Sequence, residues 1–559
     1  MTFLSLVWLS FTAKSYTKGD KITLLSAQIA PRFNPTESYP MHKLPYCSLS
    51  KKNKTKSTIA DIIHGDYLVP FGIDIKFQEN KVNQILCSRI LKHKDYARIG
   101  NYSLRGFWTK FYVDDIPIYS HFSTFVDDIF KIYSNLIFTI YTNESYIIDA
   151  DVLMTDPVDP LIGESITYKY SVFWNETTTN IRSKYKKYEE PLFFKSGYRK
   201  LSVYNMMFIL FLLALAIYIV ITKLAVRSHR NENGLDNMDY DITSDIGWRL
   251  LHAEVFRPAK FTIILCNFIS CGFHFGFSFL IFCLYNMIFE SYKRRTGMFN
   301  ACIMNLILIC PLTGFMNTLI FRLNGNNNKL IHSTFGWLQS LFVLTTHLVL
   351  TSIVAIIYRT TRRVPIISLF FKLLIISIIS LPLTVVGNAF AERTKFLLHK
   401  SSEISQVPRT LPKHYHILNY LFCGLIISIP TFGELYYLLS SYNNMKVIHE
   451  WNYILLYLIY LIFSSSFTSI ISVFHCLQEE DYRWQWISFI SPAFSFFYLI
   501  SYCLYYIFCY SENLASCQII NNILFSFLSC IITSLIAGAS GYFASCIFVH
   551  KIYRDQKID

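Results

Sequence analysis

The chain has 559 residues, of which 53% are hydrophobic and 16% are charged. Soluble globular proteins carry roughly 25% charged residues, so this composition excludes an ordinary water-soluble protein and indicates an integral membrane protein. The formal net charge is +14, but Lys and Arg are scattered through loops instead of being gathered on one polar domain, which argues against nucleic-acid binding.

The N-terminal third differs in composition from the rest. A short apolar run ends in the small-x-small pattern Ala13-Lys14-Ser15, which is typical of a signal peptide, here residues 1–15. Residues 16–202 are more polar. Ile166, Tyr168, Tyr170 and Val172 alternate with polar residues, and this period of two predicts a strand with one apolar face. We therefore expect a β-rich domain in the lumen of an organelle.

Possible modifications of this domain support a lumenal position. It contains four glycosylation sequons and the remaining chain contains none; the acceptors are Asn53, Asn101, Asn143 and Asn175. Only two of the 14 cysteines lie before residue 200, namely Cys47 and Cys87. In an oxidising compartment such a pair is a disulfide candidate, with two free thiols as the alternative.

After residue 200 the sequence becomes a series of apolar runs, each long enough to cross a hydrocarbon core that needs about 20 helical residues. We count nine, with the limits Val203–Thr222, Phe261–Cys283, Met298–Phe321, Phe335–Tyr358, Val364–Phe390, Ile417–Tyr442, Trp451–Leu477, Ile487–Tyr510 and Ile519–Val549. The predicted organisation is one span (203–222), a cytosolic loop (223–260), a bundle of eight spans (261–549) and a cytosolic tail (550–559).

The distribution of basic residues agrees with this orientation. With a lumenal N-terminal domain, the cytosolic segments hold more than twice as many Lys and Arg residues as the short lumenal loops, in line with the positive-inside rule. Two lumenal loops depart from the rule, at residues 293–295 and 359–363.

Several motifs occur in a characteristic order. Glu37-Ser38-Tyr39 is followed by Leu44-Pro45-Tyr46-Cys47. An acidic loop from Asp236 to Asp245 leads into Gly247-Trp248 and then Val255-Phe256-Arg257-Pro258. Glu480-Asp481-Tyr482-Arg483-Trp484 follows the seventh span, and the chain closes with Lys551-Ile552-Tyr553 and Lys557-Ile558-Asp559. In these motifs the chain resembles the transmembrane nine superfamily, also called nonaspanins or the endomembrane protein 70 family. Gln485 and the residues after Pro365 depart from the family pattern.

The resemblance implies a function and a location. Family members are expected to act as sorting receptors or chaperones for other membrane proteins, so the expected partners are client membrane proteins and the lipid bilayer. Lys557 and Asp559 resemble the family's Lys-x-Asp/Glu signal, which implies binding to the COPI coat and residence in Golgi and endosomal membranes. A terminal carboxylate, an Asp and a Lys offer charge-assisted contacts to a coat protein.

Two ionisable residues lie within predicted spans, where charges are costly and often functional. Lys372 and Glu434 are each 8 residues from the lumenal end of their span, which is roughly 12 Å at 1.5 Å per residue. They could form a buried ion pair at matched depth. Alternatively, Lys372 could extend to the lumenal interface.

No nucleophile elbow, phosphate loop or zinc-helix motif occurs in the sequence. We therefore expect neither an enzyme nor a cofactor or metal site. The alternative to a sorting receptor is a transporter, a channel or a lipid-moving protein that uses the eight-helix bundle, since buried charge and Pro residues in spans are common in such proteins.

Overall fold

The computed structural model describes residues 14–32, 34–44, 57–126, 129–232, 251, 254–324, 335–394, 417–511 and 514–554. Strands dominate the N-terminal part and helices dominate the part after residue 190. The chain therefore has a β-domain followed by a helical region, as the sequence predicts.

The β-domain contains two larger sheets and one small one. The strands are Lys21–Ile22 (β1), Leu24–Ala30 (β2), Val69–Pro70 (β3), Ile75–Lys76 (β4), Lys81–Ile90 (β5), Trp108–Val113 (β6), Ile116–His121 (β7), Ser123–Val126 (β8), Ile129–Asn143 (β9), Tyr146–Val158 (β10) and Ser165–Glu176 (β11). One sheet has the order β3-β2-β6-β7 and the other β10-β9-β11-β5, with β8 paired to β9, while β1 pairs with β4. Among the described strands, β9 and β11 are the one pair that runs parallel.

The hydrophobic core of the domain lies between the two larger sheets. Phe111 on β6 meets Phe138 on β9 edge to face, with ring centroids 6.1 Å apart, and both are fully buried. The predicted apolar face of β11 is confirmed, because Ile166, Tyr168, Tyr170 and Val172 are all buried. The short helix Ile59–His64 (α1) packs against the fourth and fifth spans of the helical region, whereas the helix His93–Leu104 (α2) packs beside β8 and β9.

Within the described residues, nine helical stretches are long and apolar enough to cross a membrane. They consist of Gly197–Glu232 (span 1), Thr262–Phe289 (span 2), Gly297–Leu308 and Cys310–Leu323 (span 3), Phe335–Ile357 (span 4), Ile366–Arg393 (span 5), Ile417–Asn444 (span 6), Trp451–Gln478 (span 7), Trp484–Ala493 and Ser495–Tyr505 (span 8) and Ser516–Arg554 (span 9). A short helix, Pro191–Phe194 (α3), precedes span 1. Each span overlaps one predicted from hydropathy.

Proline explains the two broken spans. Span 3 is interrupted at Ile309, next to Pro311, and span 8 is interrupted at Phe494, just after Pro492. Proline removes a backbone donor and clashes with the preceding turn. Pro382 and Pro430 instead lie inside continuous helices, where neighbouring helices and polar side chains can satisfy the freed carbonyls.

The β-domain packs directly on one end of the bundle, which we call the domain end. The Thr36 hydroxyl donates to Gln518 Oε1 at 2.5 Å and the Ala515 N–H donates to Asn34 Oδ1 at 2.6 Å. Thr361 N–H, in the loop between spans 4 and 5, donates to the Ser38 carbonyl at 2.9 Å. The motif that begins at Glu37 therefore lies in this junction. The other end of the bundle is called the opposite end.

Candidate functional site

A buried ion pair joins span 1 to the bundle near the domain end. Arg199 lies in the first turn of span 1, and its Nε and Nη2 donate to the two carboxylate oxygens of Glu434 at 3.1 and 2.7 Å. Arg199 is 2% exposed and Glu434 is 9% exposed. Two parallel charge-assisted bonds give this contact a defined geometry as well as strength.

Aromatic rings enclose the Arg199 guanidinium. Its centre lies 4.8 Å from the ring of Tyr437 and 4.4 Å from the ring of Tyr453, which are cation–π distances. Nη1 donates to the Phe194 carbonyl at 3.3 Å. Span 1 is thus held by spans 6 and 7 through one arginine.

The predicted pair between Lys372 and Glu434 is wrong, because Glu434 is occupied by Arg199. Lys372 has an exposed side chain on span 5. The sequence reading missed Arg199 because the helix begins at Gly197, before the predicted limit at Val203. An Arg just ahead of an apolar run is the signal that could have indicated a partner for Glu434.

Ion pairs tie the linker before span 1 to both parts of the protein. On the domain side, Lys184 pairs with Asp114 at 3.0 Å. On the bundle side, Glu190 pairs with Lys446 at 2.6 Å and Lys195 pairs with Glu450 at 3.1 Å. The β-domain and the bundle are therefore connected by a fixed segment.

The same junction includes the loop between spans 2 and 3, which departs from the positive-inside rule in the predicted orientation. Arg295, between spans 2 and 3, lies 3.4 Å from Asp61 and 3.8 Å from Asp115 in the β-domain. In the same loop, burial and the hydrogen bond that Tyr292 donates to Glu189 raise the pKa of the Tyr292 hydroxyl. Arg295 therefore contributes to docking of the domain.

Two of the predicted family motifs meet at the opposite end. The indole N–H of Trp484 donates to the Val255 carbonyl at 2.9 Å. Gln485 Nε2 donates to the Arg257 carbonyl at 3.0 Å, and Trp486 Nε1 donates to the Lys260 carbonyl at 2.7 Å. Three side chains at the start of span 8 thus hold the segment that precedes span 2. Gln485 has a defined role here although it departs from the family pattern.

Each motif is also held internally. Arg257 pairs with Glu254 at 2.7 Å, and Arg483 pairs with the fully buried Asp481 at 2.6 Å. The hydrogen bonds that Arg483 donates to the Asp481 carboxylate raise the pKa of Arg483. Phe256 contacts the ring of Tyr553 at the end of span 9, with centroids 6.3 Å apart.

The other members of these motifs are less informative. Tyr482 is partly buried and packs against the hydrophobic core of the helical bundle. Glu480 is half-buried, whereas Pro258 is exposed. Gly247, Trp248, Lys557 and Asp559 lie outside the described residues.

The predicted modification sites lie on the β-domain. Asn101 is exposed on α2 and Asn175 is exposed on β11, while Asn143 is half-buried at the turn between β9 and β10. Cys87 is disulfide-bonded. Its predicted partner Cys47, and the sequon at Asn53, lie outside the described residues.

Several polar side chains inside the spans bond across helices. His274 Nδ1 lies 2.8 Å from the Thr313 hydroxyl, Thr318 donates to Asn388 at 3.0 Å, and Asn324 donates to the Tyr542 hydroxyl at 2.9 Å; Asn305 also donates to the Ser278 carbonyl. Such bonds stabilise helix association in lipid. In the described part of the chain, no group of three or more His, Cys, Asp or Glu side chains could hold a metal ion.

Comparison with known proteins gives one consistent result. The endomembrane protein 70 family profile matches residues 37–514. Transmembrane 9 superfamily member 5 of Arabidopsis thaliana is 24% identical, covering 98% of this chain and 96% of that protein. Member 1 of Rattus norvegicus is also 24% identical, covering 97% and 94%. No solved structure matches at a significant level. This chain therefore belongs to the endomembrane protein 70 family, the transmembrane 9 superfamily of multi-pass membrane proteins.

Proposed function

We propose that this protein is a non-enzymatic sorting receptor, or chaperone, that binds other membrane proteins in Golgi and endosomal membranes. The observation that supports this best is the position of span 1. Only 11% of its most apolar stretch is buried inside the protein. Tyr204, Met207, Phe208 and Phe211 are each at least 60% exposed, so a broad face is available to lipid or to another helix.

The attachment of span 1 suits such a role. It packs against spans 6 and 7, and Arg199 fixes its domain end. In lipid, helices associate through close packing and polar contacts, because lipid tails are as apolar as the side chains. A helix held firmly on one face and open on the other offers a stable surface to a client helix, and the docked β-domain can contact the same client outside the membrane.

Site-specific photocrosslinking in cells tests this proposal. A crosslinking amino acid replaces Phe211, which is 66% exposed, and the matched control replaces Leu213, which is 7% exposed on the same helix. We expect position 211 to capture membrane proteins whose location changes when this protein is removed, and position 213 to capture none of them. Equal capture at both positions, or none at position 211, would contradict the proposal.

We further propose that the β-domain is lumenal and the C-terminus cytosolic. The sequons on the β-domain and the excess of Lys and Arg at the opposite end support this orientation. The tail follows directly after Tyr553, which packs on Phe256, so Lys557 and Asp559 would be displayed close to the membrane for a COPI subunit. Replacing both with Ala should move the protein from the Golgi to later compartments. An unchanged distribution would show that Lys557 and Asp559 do not act as the sorting signal.

A transport function is the second candidate. Ser270, His274 and Ser278 recur every fourth residue on span 2, and all three are buried. This gives a polar stripe facing spans 3 and 4. Against a pathway there, a Cβ at Gly336 would lie 2.3 Å from Ser270 Oγ and one at Gly314 would lie 2.3 Å from the Thr384 carbonyl, so spans 2 to 5 pack tightly. Solute flux into liposomes that contain only the purified protein, together with a photocrosslinking experiment that captures no client proteins, would favour transport over sorting.

A further inference from the structure

The loop between spans 6 and 7 holds α3 against the bundle. Phe194 on α3 is 1% exposed, and its ring lies edge to face with the His449 imidazole, with ring centroids 4.9 Å apart. Lys446 Nζ lies 3.9 Å from the ring centroid of Phe193, which is a cation–π distance. The loop ends at Glu450, the residue before span 7. We call α3 together with Lys446, His449 and Glu450 the linker clamp.

Both ring nitrogens of His449 face oxygen atoms that accept hydrogen bonds. Nδ1 lies 3.3 Å from the Val447 carbonyl oxygen, and Nε2 lies 3.5 Å from Glu450 Oε1. A carbonyl and an ionised carboxylate accept but do not donate, and a neutral imidazole has only one N–H. The neutral ring therefore directs one nitrogen lone pair at an oxygen, whereas the protonated ring directs an N–H at each of them.

Burial increases the effect of a charge on His449. Its side chain is 8% exposed and that of Glu450 is 11% exposed, so water screens the contact between them only weakly. Lys195 also pairs with Glu450, at 3.1 Å, but the Lys195 side chain is 58% exposed and its charge is well screened. His449 is therefore the more effective cation beside this carboxylate once it is protonated.

Among the described residues, the other charged and ionisable groups that face the clamp have partners of their own. They are paired as Glu190 with Lys446, Glu189 with Tyr292, Glu290 with Lys293, and Arg199 with Glu434. Ordinary pKa values are about 4.3 for Glu, 10 for Tyr and 10.4 for Lys, whereas His titrates near 6.5. Between about pH 6 and pH 7.5, His449 is therefore the member of this set that changes its charge.

We propose that His449 is a pH sensor that tightens the linker clamp in acidic compartments. As the pH falls through about 6.5, the ring takes up a proton and gains charge-assisted contacts to the Val447 carbonyl and the Glu450 carboxylate. The closed clamp binds this proton more tightly than the open one, so the gain is present below this range and is lost as the pH rises through it.

The clamp is connected to span 1 through Phe194. The Phe194 carbonyl accepts a hydrogen bond from Arg199 in the first turn of span 1, so a tighter clamp holds that end of span 1 more firmly. This consequence rests on the proposed function: client helices then meet a firmly held span 1 in acidic organelles and a looser one at neutral pH.

Hydrogen exchange of the full-length protein in detergent tests the proposal. The amides of Phe194 and Lys195 donate to the carbonyls of Glu190 and Pro191, so their exchange reports opening of the clamp. Rates at about pH 6 and about pH 7.5 are compared after correction for the pH dependence of intrinsic exchange. We expect exchange to be slower at the lower pH by a factor of about 3 to 30, because one proton changes an opening equilibrium by at most about tenfold per pH unit.

His449→Gln should remove this pH dependence, because glutamine does not titrate. His475→Gln is the matched control: His475 lies 3.2 Å from Glu479 at the opposite end of span 7, with a side chain that is 52% exposed, and this variant should keep the full pH effect. Equal exchange at both pH values in the wild type would overturn the proposal, and so would an undiminished effect in His449→Gln. If His449→Gln does not fold, Glu450→Gln decides the question, because it keeps His449 but removes the carboxylate and should reduce the effect.

This experiment and the photocrosslinking at Phe211 can fail separately. A pH effect on the clamp without captured clients supports the pH sensor and contradicts the sorting function. Captured clients without a pH effect support the sorting function and contradict the pH sensor.

Discussion

The ion pair between Arg199 and Glu434 is the contact whose removal should affect the bundle most. Glu434→Leu leaves a guanidinium that is 2% exposed without its carboxylate. Removing one partner of a buried pair costs about 3–5 kcal/mol, because the remaining charge stays desolvated. Arg199→Met leaves the carboxylate instead and also removes both cation–π contacts, which are worth roughly 1–2 kcal/mol each. We therefore expect Arg199→Met to be the more damaging single change.

The double variant Arg199→Met/Glu434→Leu separates the cost of an unpaired charge from the net value of the pair. Replacing a buried pair by apolar residues is often neutral or stabilising, so the double variant should be more stable than either single variant. Its Tm should lie above that of either single variant, so the coupling free energy should exceed the loss caused by Arg199→Met alone, about 5 kcal/mol or more. The measurement is thermal unfolding of each full-length variant in detergent, followed by Trp fluorescence.

Lys195→Met is the control, since Lys195 pairs with Glu450 but is itself 58% exposed. Because water screens the exposed Lys195 end of this pair, the change should lower Tm much less than Glu434→Leu. Additive effects of the two single substitutions, or a loss in Glu434→Leu no larger than that in Lys195→Met, would refute the reasoning.

Three further outcomes follow from the structure. Trp484→Phe removes the donor to the buried Val255 carbonyl, which should cost about 1–3 kcal/mol and speed hydrogen exchange in residues 254–260. Gly387→Ala should strongly lower Tm, because the added Cβ would lie 1.8 Å from the Pro311 carbonyl oxygen and would push spans 3 and 5 apart. If the β-domain is lumenal, protein isolated from cells should lose glycan when the described acceptors are changed to Gln one at a time; these are Asn101, Asn143 and Asn175.

Each of these has a control within the chain. Trp486→Phe removes a bond to Lys260 in an exposed setting, so water can replace the donor and the loss should be smaller than for Trp484→Phe. At Gly433 an added Cβ would meet the Ser202 hydroxyl at 3.0 Å, and a side chain can rotate away, so Gly433→Ala should be milder than Gly387→Ala. Absence of glycan at every sequon in a host that glycosylates its secreted proteins would contradict the lumenal orientation.

Hydropathy was sufficient to predict the architecture. A span must have about 20 apolar residues to cross the lipid. Runs of this length in the sequence indicated the nine spans that occur in the described residues. The alternation from Ile166 to Val172 likewise predicted the buried face of β11, because a strand with one buried face has a period of two. These features depend on near neighbours in the chain, so sequence alone carries them.

The contacts of the candidate site depend on distant residues and were predicted poorly. Glu434 binds a residue 235 positions away, and matched depth alone led to Lys372. Trp484 donates to the carbonyl of Val255, which lies 229 positions earlier in the chain, and no periodicity of the sequence indicates this contact. The basic residue Arg295 departs from the positive-inside rule in the predicted orientation, and the sequence does not indicate that it contacts Asp61 and Asp115.

The distance in sequence between Arg199 and Glu434 also matters while the protein is being made. Arg199 leaves the ribosome 235 residues before its carboxylate partner. At about 5–20 residues per second, the arginine waits roughly 10–50 s for span 6. During that interval span 1 has neither of the helices against which it later packs. The final bundle is therefore completed only after most of the chain has been synthesised.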